Sequence, residues 1–338
     1  MRGRHRLLLV LGLAGAALAC NAGAFRPAPS PTARGEPGLA AGETETPALL
    51  ILPTPLFTEA APTRPVPTPL PADQRGYELC VSIASDSNGY GHASFLVPDP
   101  QVTEPQVAIV YLTPLWVPLQ ASLEALGLAY LPVRDHSQTA GGLTLASANY
   151  LESGHYDRLK QERCKFIVIT PFYPDVAVDL ASPDFYVQNL LLMVDGLTRA
   201  TPTSRLLVLN FFRTNRAAFT VSNSGRGLRD ERIEAFNAAL GTTCADPAGL
   251  GGYPQVVCVD VTPFFKDMEN AHVLGETSQA VFRASLYREN GYTPIIYDYF
   301  ARYPDGVLIG DGIHLSQAGR ERLAQRLAQI IFDLNDDF

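Results

Sequence analysis

Charge is scarce in this chain. Charged side chains make up 18% of its 338 residues, and 26 Lys and Arg are outnumbered by 34 Asp and Glu, for a formal net charge of −8. No long Lys/Arg run offers the basic face that phosphate recognition needs, which argues against nucleic acid as a partner. Histidine is sparse as well: the six residues are scattered, no H-x-H or C-x-x-C occurs, and a zinc site is not expected. The G-x-S-x-G signature is missing, which disfavours the α/β-hydrolase fold. What the chain does have is 46% hydrophobic residues, enough to fill the core of one large domain or two modest ones.

The N-terminus reads as a targeting segment. MRGRHR is a positive n-region, and Leu7–Ala19 is an apolar run of 13 residues, too short to cross a bilayer as a helix. Residues 1–19 are therefore expected to be a secretory signal. Residues 20–75 form a Pro/Thr-rich linker, with 12 of the 27 prolines between 21 and 75. Such a composition suits an extended spacer without helix or sheet. Within it ALLILPTPLF (Ala48–Phe57) is an apolar island, either a docking segment or merely a sticky stretch of tether. The stretch Ala17-Leu18-Ala19-Cys20 resembles the lipobox of bacterial lipoproteins. It implies a lipidated Cys20, an extracytoplasmic location and a membrane anchor, since several acyl chains on one residue hold stably to a lipid surface. Leucine is more usual where Ala17 stands, and cleavage that leaves a free Cys20 is the plainer alternative.

Four cysteines remain in the body, and a secreted chain permits disulfides. Cys244 and Cys258 flank the Gly/Pro-rich loop ADPAGLGGYPQVV, which a bridge would close. Cys80 and Cys164 each open a predicted strand, as a link between neighbouring parallel strands would require. Of the three possible pairings this placement favours Cys80–Cys164 with Cys244–Cys258.

From residue 76 to 338 short apolar runs alternate with helical patterns. Strands are expected at 78–84, 107–112, 128–133, 165–170, 205–210 and 255–261. Helices are expected at 117–127, 185–200, 229–241 and 316–334, the last capped by Ser316. Strands apolar on both faces and separated by helices predict a parallel sheet covered on both sides, with sites at the carboxyl ends of the strands.

Two polar stretches fall where such a site would form. SDSNGYGH (Ser85–His92) places Ser87 three residues beyond the first strand. The residue types suit an ordinary turn equally well. Asp311 and His314 lie three apart before the terminal helix, a spacing that lets the carboxylate hold Nδ1–H and leaves Nε2 free to take a proton. The plain alternative is a turn-initiating Asp and a surface His.

Together these stretches resemble the SGNH (GDSL) hydrolases. Ser85-Asp86-Ser87-Asn88-Gly89-Tyr90-Gly91 matches their first block, G-D-S-x-x-x-G, with serine for the first glycine. Asp311 and His314 match their final D-x-x-H. HSQTAGGLT supplies Gly142, or Gly141, for the second block. The third block, G-x-N-D, is broken: PFYPD has Pro174 where the Asn belongs, and only Asp175 matches. Proline offers no donor, so Asn210, or failing that Tyr173, is the candidate substitute. A strand-end cap is the plainer role for Asn210. His92 and His136 flank block residues and either line the pocket or hydrogen-bond within loops. The segment 270–300, rich in Tyr and Phe, either shapes the cleft or forms a local hydrophobic cluster.

The resemblance implies a three-layer α/β/α sandwich with a mainly parallel, five-stranded, flavodoxin-like sheet over residues 76–338. It also implies a serine ester hydrolase, an esterase, lipase or carbohydrate O-deacetylase, that uses Ser87, His314 and Asp311. Backbone N–H groups of Ser87 and Gly142 would hold the oxyanion, and no metal or organic cofactor would be needed. The substrate would be a small-molecule or glycan ester. An O-acyltransferase acting on a glycan, or a non-catalytic glycan-binding lipoprotein on a decayed scaffold, are the competing expectations.

Overall fold

The computed structural model describes residues 76–98, 106–138, 145, 150–177, 181–215, 230–266, 272–287 and 294–335. Cys20, Gly141 and Gly142 lie outside the described residues, as does the Pro-rich segment. In chain order the elements are β1 (Glu78–Ala84), α1 (Ser87–Tyr90), β2 (His92–Val97), β3 (Gln106–Tyr111), α2 (Trp116–Ala125), β4 (Val133–Asp135), α3 (Gly154–Glu162), β5 (Cys164–Ile169), α4 (Tyr173–Ala177) and α5 (Pro183–Ala200). They continue with β6 (Arg205–Leu209), α6 (Asp230–Ala245), β7 (Val256–Val259), α7 (Thr262–Lys266), β8 (Glu276–Ser278), α8 (Gln279–Ser285), α9 (Pro294–Arg302), β9 (Val307–Gly310) and α10 (Gln317–Asp333).

Five strands form an all-parallel sheet in the order β4-β1-β5-β6-β7. Counted within the sheet this is the flavodoxin-like order 2-1-3-4-5, whose switch point lies between β1 and its neighbour β5. The middle strands explain the topology. All six residues of β5 are buried, and so are the last five of β1, as a strand covered on both faces requires. Helices flank the sheet: α2 packs on α10, while α5 packs on both α3 and α6. Ser316 caps α10, its hydroxyl accepting the Gly319 N–H at 3.1 Å.

Both disulfides occur as expected. Cys80–Cys164 ties β1 to β5 with Cα atoms 4.8 Å apart, and Cys244–Cys258 ties the end of α6 to β7 with Cα atoms 6.2 Å apart. Among the described residues no helix is long and apolar enough to cross a membrane.

Two strand expectations need correction. Residues 107–112 do not join the parallel sheet. They form β3, the edge of a second, antiparallel sheet ordered β3-β2-β9-β8. Only residues 98–105 separate β2 from β3, too few for a parallel crossover, which takes a dozen or more, so the pair closes as a hairpin. The run 128–133 is mostly turn. Gly127 (φ +79°) ends α2, and Pro132 has no N–H for the ladder, so β4 begins at Val133. Within the described part of the 270–300 segment a local hydrophobic cluster forms: Phe282, Ile296, Tyr299 and Phe300 are buried with Ala93 and Phe95 of the small sheet.

Candidate active site

β1 runs out at Ala84, and three residues on, Ser87 opens α1, a helix of four residues. Asp86 caps α1, its Oδ1 accepting the Asn88 N–H at 2.8 Å, while its Oδ2 accepts the Tyr173 N–H at 2.8 Å from the start of α4, the helix that follows β5. The buried carboxylate thus ties together the segments that follow β1 and β5 at the switch point. Burial pushes its pKa up, against the pull of those hydrogen bonds. Ser85, which departs from the family pattern, is fully buried. Its hydroxyl accepts the Gly89 N–H at 3.0 Å and a bond from the Thr170 hydroxyl, so it sits beneath the helix without disturbing it. Gly91 ends α1 at φ +92°, where a Cβ would strike the Leu112 carbonyl.

The far end of the chain comes to this helix through Asn88. Its Oδ1 accepts the Leu315 N–H at 3.0 Å across 227 residues. His314 beside it points Nε2 at the Ser87 hydroxyl, 2.8 Å away, and Nδ1 at Asp311 Oδ2, 2.6 Å away. Asp311 is held in turn by the backbone: Oδ1 accepts from Ile313 and His314, each at 3.0 Å, and Oδ2 accepts the Ser94 N–H at 2.8 Å. Burial pushes its carboxyl up, but the His314 charge and the hydrogen bonds outweigh this and leave the pKa below the ordinary value. Ser87 and His314 are partly exposed, so a small molecule can reach both. Asn88 and Ser94 were not singled out by sequence reasoning. Asn88 sits at a variable position of the first block, and Ser94 acts through its backbone, so neither carried a signal.

The other expected residues divide. His92 lies at the site, its ring stacked on that of His314 with centroids 5.3 Å apart and planes at 13°. Burial, then the neighbouring His314, lower its pKa to about 4, so it is neutral near pH 7. His136 lies elsewhere, bonded through Nε2 to Glu162 at 2.7 Å. Asn210 is corrected as an oxyanion donor. Its amide N–H groups go to Asp260 (2.7 Å) and Thr262 (3.1 Å), and its carbonyl accepts from Val261 (2.8 Å), so it braces the ends of β6 and β7. It lines a groove of about 440 Å³ with Arg213 and Asp260 that includes neither Ser87 nor His314. Tyr173 is equally committed, its buried hydroxyl donating to the Phe212 carbonyl. Asp175, the surviving third-block residue, is fully buried and accepts the Leu145 N–H at 2.8 Å. Among the described residues no group of three or more His, Cys, Asp and Glu could hold a metal ion.

A parallel α/β sheet with a serine–histidine–aspartate hydrogen-bond line at its carboxyl edge is thus the class of architecture present. No family model and no curated protein matches the sequence. Solved structures with a similar course of chain include a carbohydrate esterase family 3 protein from Talaromyces cellulolyticus, 13% identical, covering 77% of this chain and 99% of that one with a TM-score of 0.46. A family 3 carbohydrate esterase from Clostridium thermocellum is 14% identical over 76% of this chain and 96% of its own, TM-score 0.45. A lipase from a goat rumen metagenome is 15% identical over 74% and 96%, TM-score 0.43.

Proposed function

We propose that this chain is a serine ester hydrolase of the SGNH type, secreted and held at a membrane by lipidated Cys20 after loss of residues 1–19. The observation that carries the reading is the continuous line from Ser87 Oγ through His314 to buried Asp311. In the proposed reaction Ser87 Oγ attacks the ester carbonyl carbon as its proton passes to His314 Nε2. Asp311 supports the imidazolium through Nδ1–H. The carbon–oxygen bond to the alcohol breaks, and the alcohol leaves with the proton from His314. Water then attacks the acyl-enzyme, giving a proton to His314, and Ser87 recovers a proton as the acid departs. The Ser87 N–H, at the first position of α1, and the Gly142 N–H are the proposed oxyanion donors.

The intact hydrogen bonding around Ser85 supports a working enzyme over a decayed scaffold, because the departure from glycine costs no polar group its partner. A fluorophosphonate probe tests the reading: wild type is expected to label and Ser87→Ala is not. Absence of wild-type labelling would favour the glycan-binding module. Turnover of p-nitrophenyl acetate with and without a sugar acceptor separates hydrolase from acyltransferase.

A further inference from the structure

The outward face of the small sheet breaks the usual rule for a half-exposed sheet, apolar inside and polar outside. Neither β2 nor β3 contains an Asp, Glu, Lys or Arg. Their inward residues Ala93, Phe95, Ala108 and Val110 are buried. The opposite face carries the pairs His92–Tyr111, Ser94–Ile109 and Leu96–Val107. There Val107 and Ile109 are 54% and 42% exposed, and Leu96 pairs on its other side with Ile309 of β9. β3 is moreover the edge of its sheet, a position that proteins ordinarily protect with charge, proline or a bulge. An open apolar stripe of this kind marks a binding surface.

Its position indicates the ligand. The stripe begins at the serine: His314 reaches Ser87, His92 stacks on His314, and Tyr111 meets His92 edge-on with centroids 6.1 Å apart. From Tyr111 the strand carries Ile109 and then Val107 away from the site, four residues at ~3.4 Å each or about 14 Å in all. With no charged side chain on β2, β3 or β9 and Ser94 the only hydroxyl along the track beyond Tyr111, the track suits a hydrocarbon, and the exposed Glu276 of β8, paired with Ile309, bounds it on the far side. The acyl group stays on Ser87 through both half-reactions, whereas the alcohol leaves after the first. Resting on the hydrolase reading above, we propose that the outward face of β2, β3 and β9 is the subsite for a medium- to long-chain acyl group. The chain would extend from the acyl carbon at Ser87 past His92 and Tyr111 along Ile109, Leu96 and Val107.

The test uses the full chain and p-nitrophenyl esters from acetyl to dodecanoyl. Wild-type kcat/KM is expected to rise about tenfold or more with acyl length, as each buried methylene adds to binding. The double variant Val107→Ser, Ile109→Ser is expected to lose most of that rise while acetyl turnover stays unchanged, and both positions are exposed enough for the fold to persist. A flat wild-type profile, a rise that survives the double substitution, or a rise that follows the length of the alcohol instead would overturn the proposal. Loss of the hydrolase reading looks different, with no fluorophosphonate labelling and no turnover of any ester. In that event, binding of a dansylated undecanoic acid to Ser87→Ala still decides the track. Affinity weakened about tenfold by the double substitution supports it, and unchanged affinity overturns it.

Discussion

The ring of His92 lies nearly parallel to that of His314, and its Nδ1 is buried without a partner among the described residues. That arrangement makes His92 one source of acid sensitivity. Burial, and then the charge His314 would carry, hold His92 down at about 4 in the folded protein against 6.5 for the free side chain, with Asp311 opposing. Between these values the unfolded chain binds more protons than the folded one, so stability rises with pH across the window and is lost as pH falls from 6.5 towards 4. The full loss is roughly 3 kcal/mol at most. Melting curves from pH 7 to 4 should show His92→Phe markedly less acid-sensitive than wild type. His155 and His272 are also depressed but are common to both proteins, so they cancel in the comparison. Parallel curves would remove His92 as the cause.

Asp311 should matter through its charge more than its shape. Asp311→Asn is nearly isosteric, yet it removes the anion beside Nδ1 and turns one backbone-accepting oxygen into a donor. The expected result is a fall in kcat of about 10³-fold or more, together with a lower melting temperature, because a backbone N–H is left facing a donor in a buried site. A loss below about tenfold would mean that His314 works without the carboxylate.

Gly91 is where sterics protect the geometry. At φ +92° a Cβ would be strained, and it would also strike the Leu112 carbonyl, so Gly91→Ala cannot leave α1 where it is. Destabilisation of about 1–3 kcal/mol is expected in urea titration, together with slower labelling of Ser87. Unchanged stability and labelling would show that the Leu112 strand yields freely.

Arg320 points the opposite way. It is fully buried on α10, and among the described residues none of its three guanidinium nitrogens finds a hydrogen-bond partner. Burial lowers its pKa to about 9, with Asp311 pulling in the other direction. The loss of solvation outweighs the attraction of Asp311, so Arg320→Met should raise stability, by about 1–4 kcal/mol. Scanning calorimetry decides the matter, and a lower melting temperature would refute it.

Local pattern carried a great deal. The first strand was legible to the residue, because an apolar run flanked by turn residues has few other uses, and Ser316 announced the last helix by its capping chemistry. The disulfide pairings followed from which strands must be neighbours. The hairpin of β2 and β3 escaped notice because HASFLV alternates weakly and VAIVYL looks like a buried parallel strand; pairing, not propensity, settled both. Asn210 illustrates the same limit, since an amide at a strand end serves a brace as readily as an oxyanion, and only its three partners tell which.

The sequence by itself determined the alternation of strand and helix, and it singled out Ser87, Asp311 and His314 as candidates. Both depend on residue type and short-range spacing. The tertiary structure decided that a hydroxyl and an imidazole 227 positions apart meet at 2.8 Å. It also decided that His92 stacks there while His136 does not, and that an apolar strand face remains open beside them. Those outcomes depend on contacts between distant segments, which arise only when the buried strands fix the order of the sheet and with it the loops that share an edge.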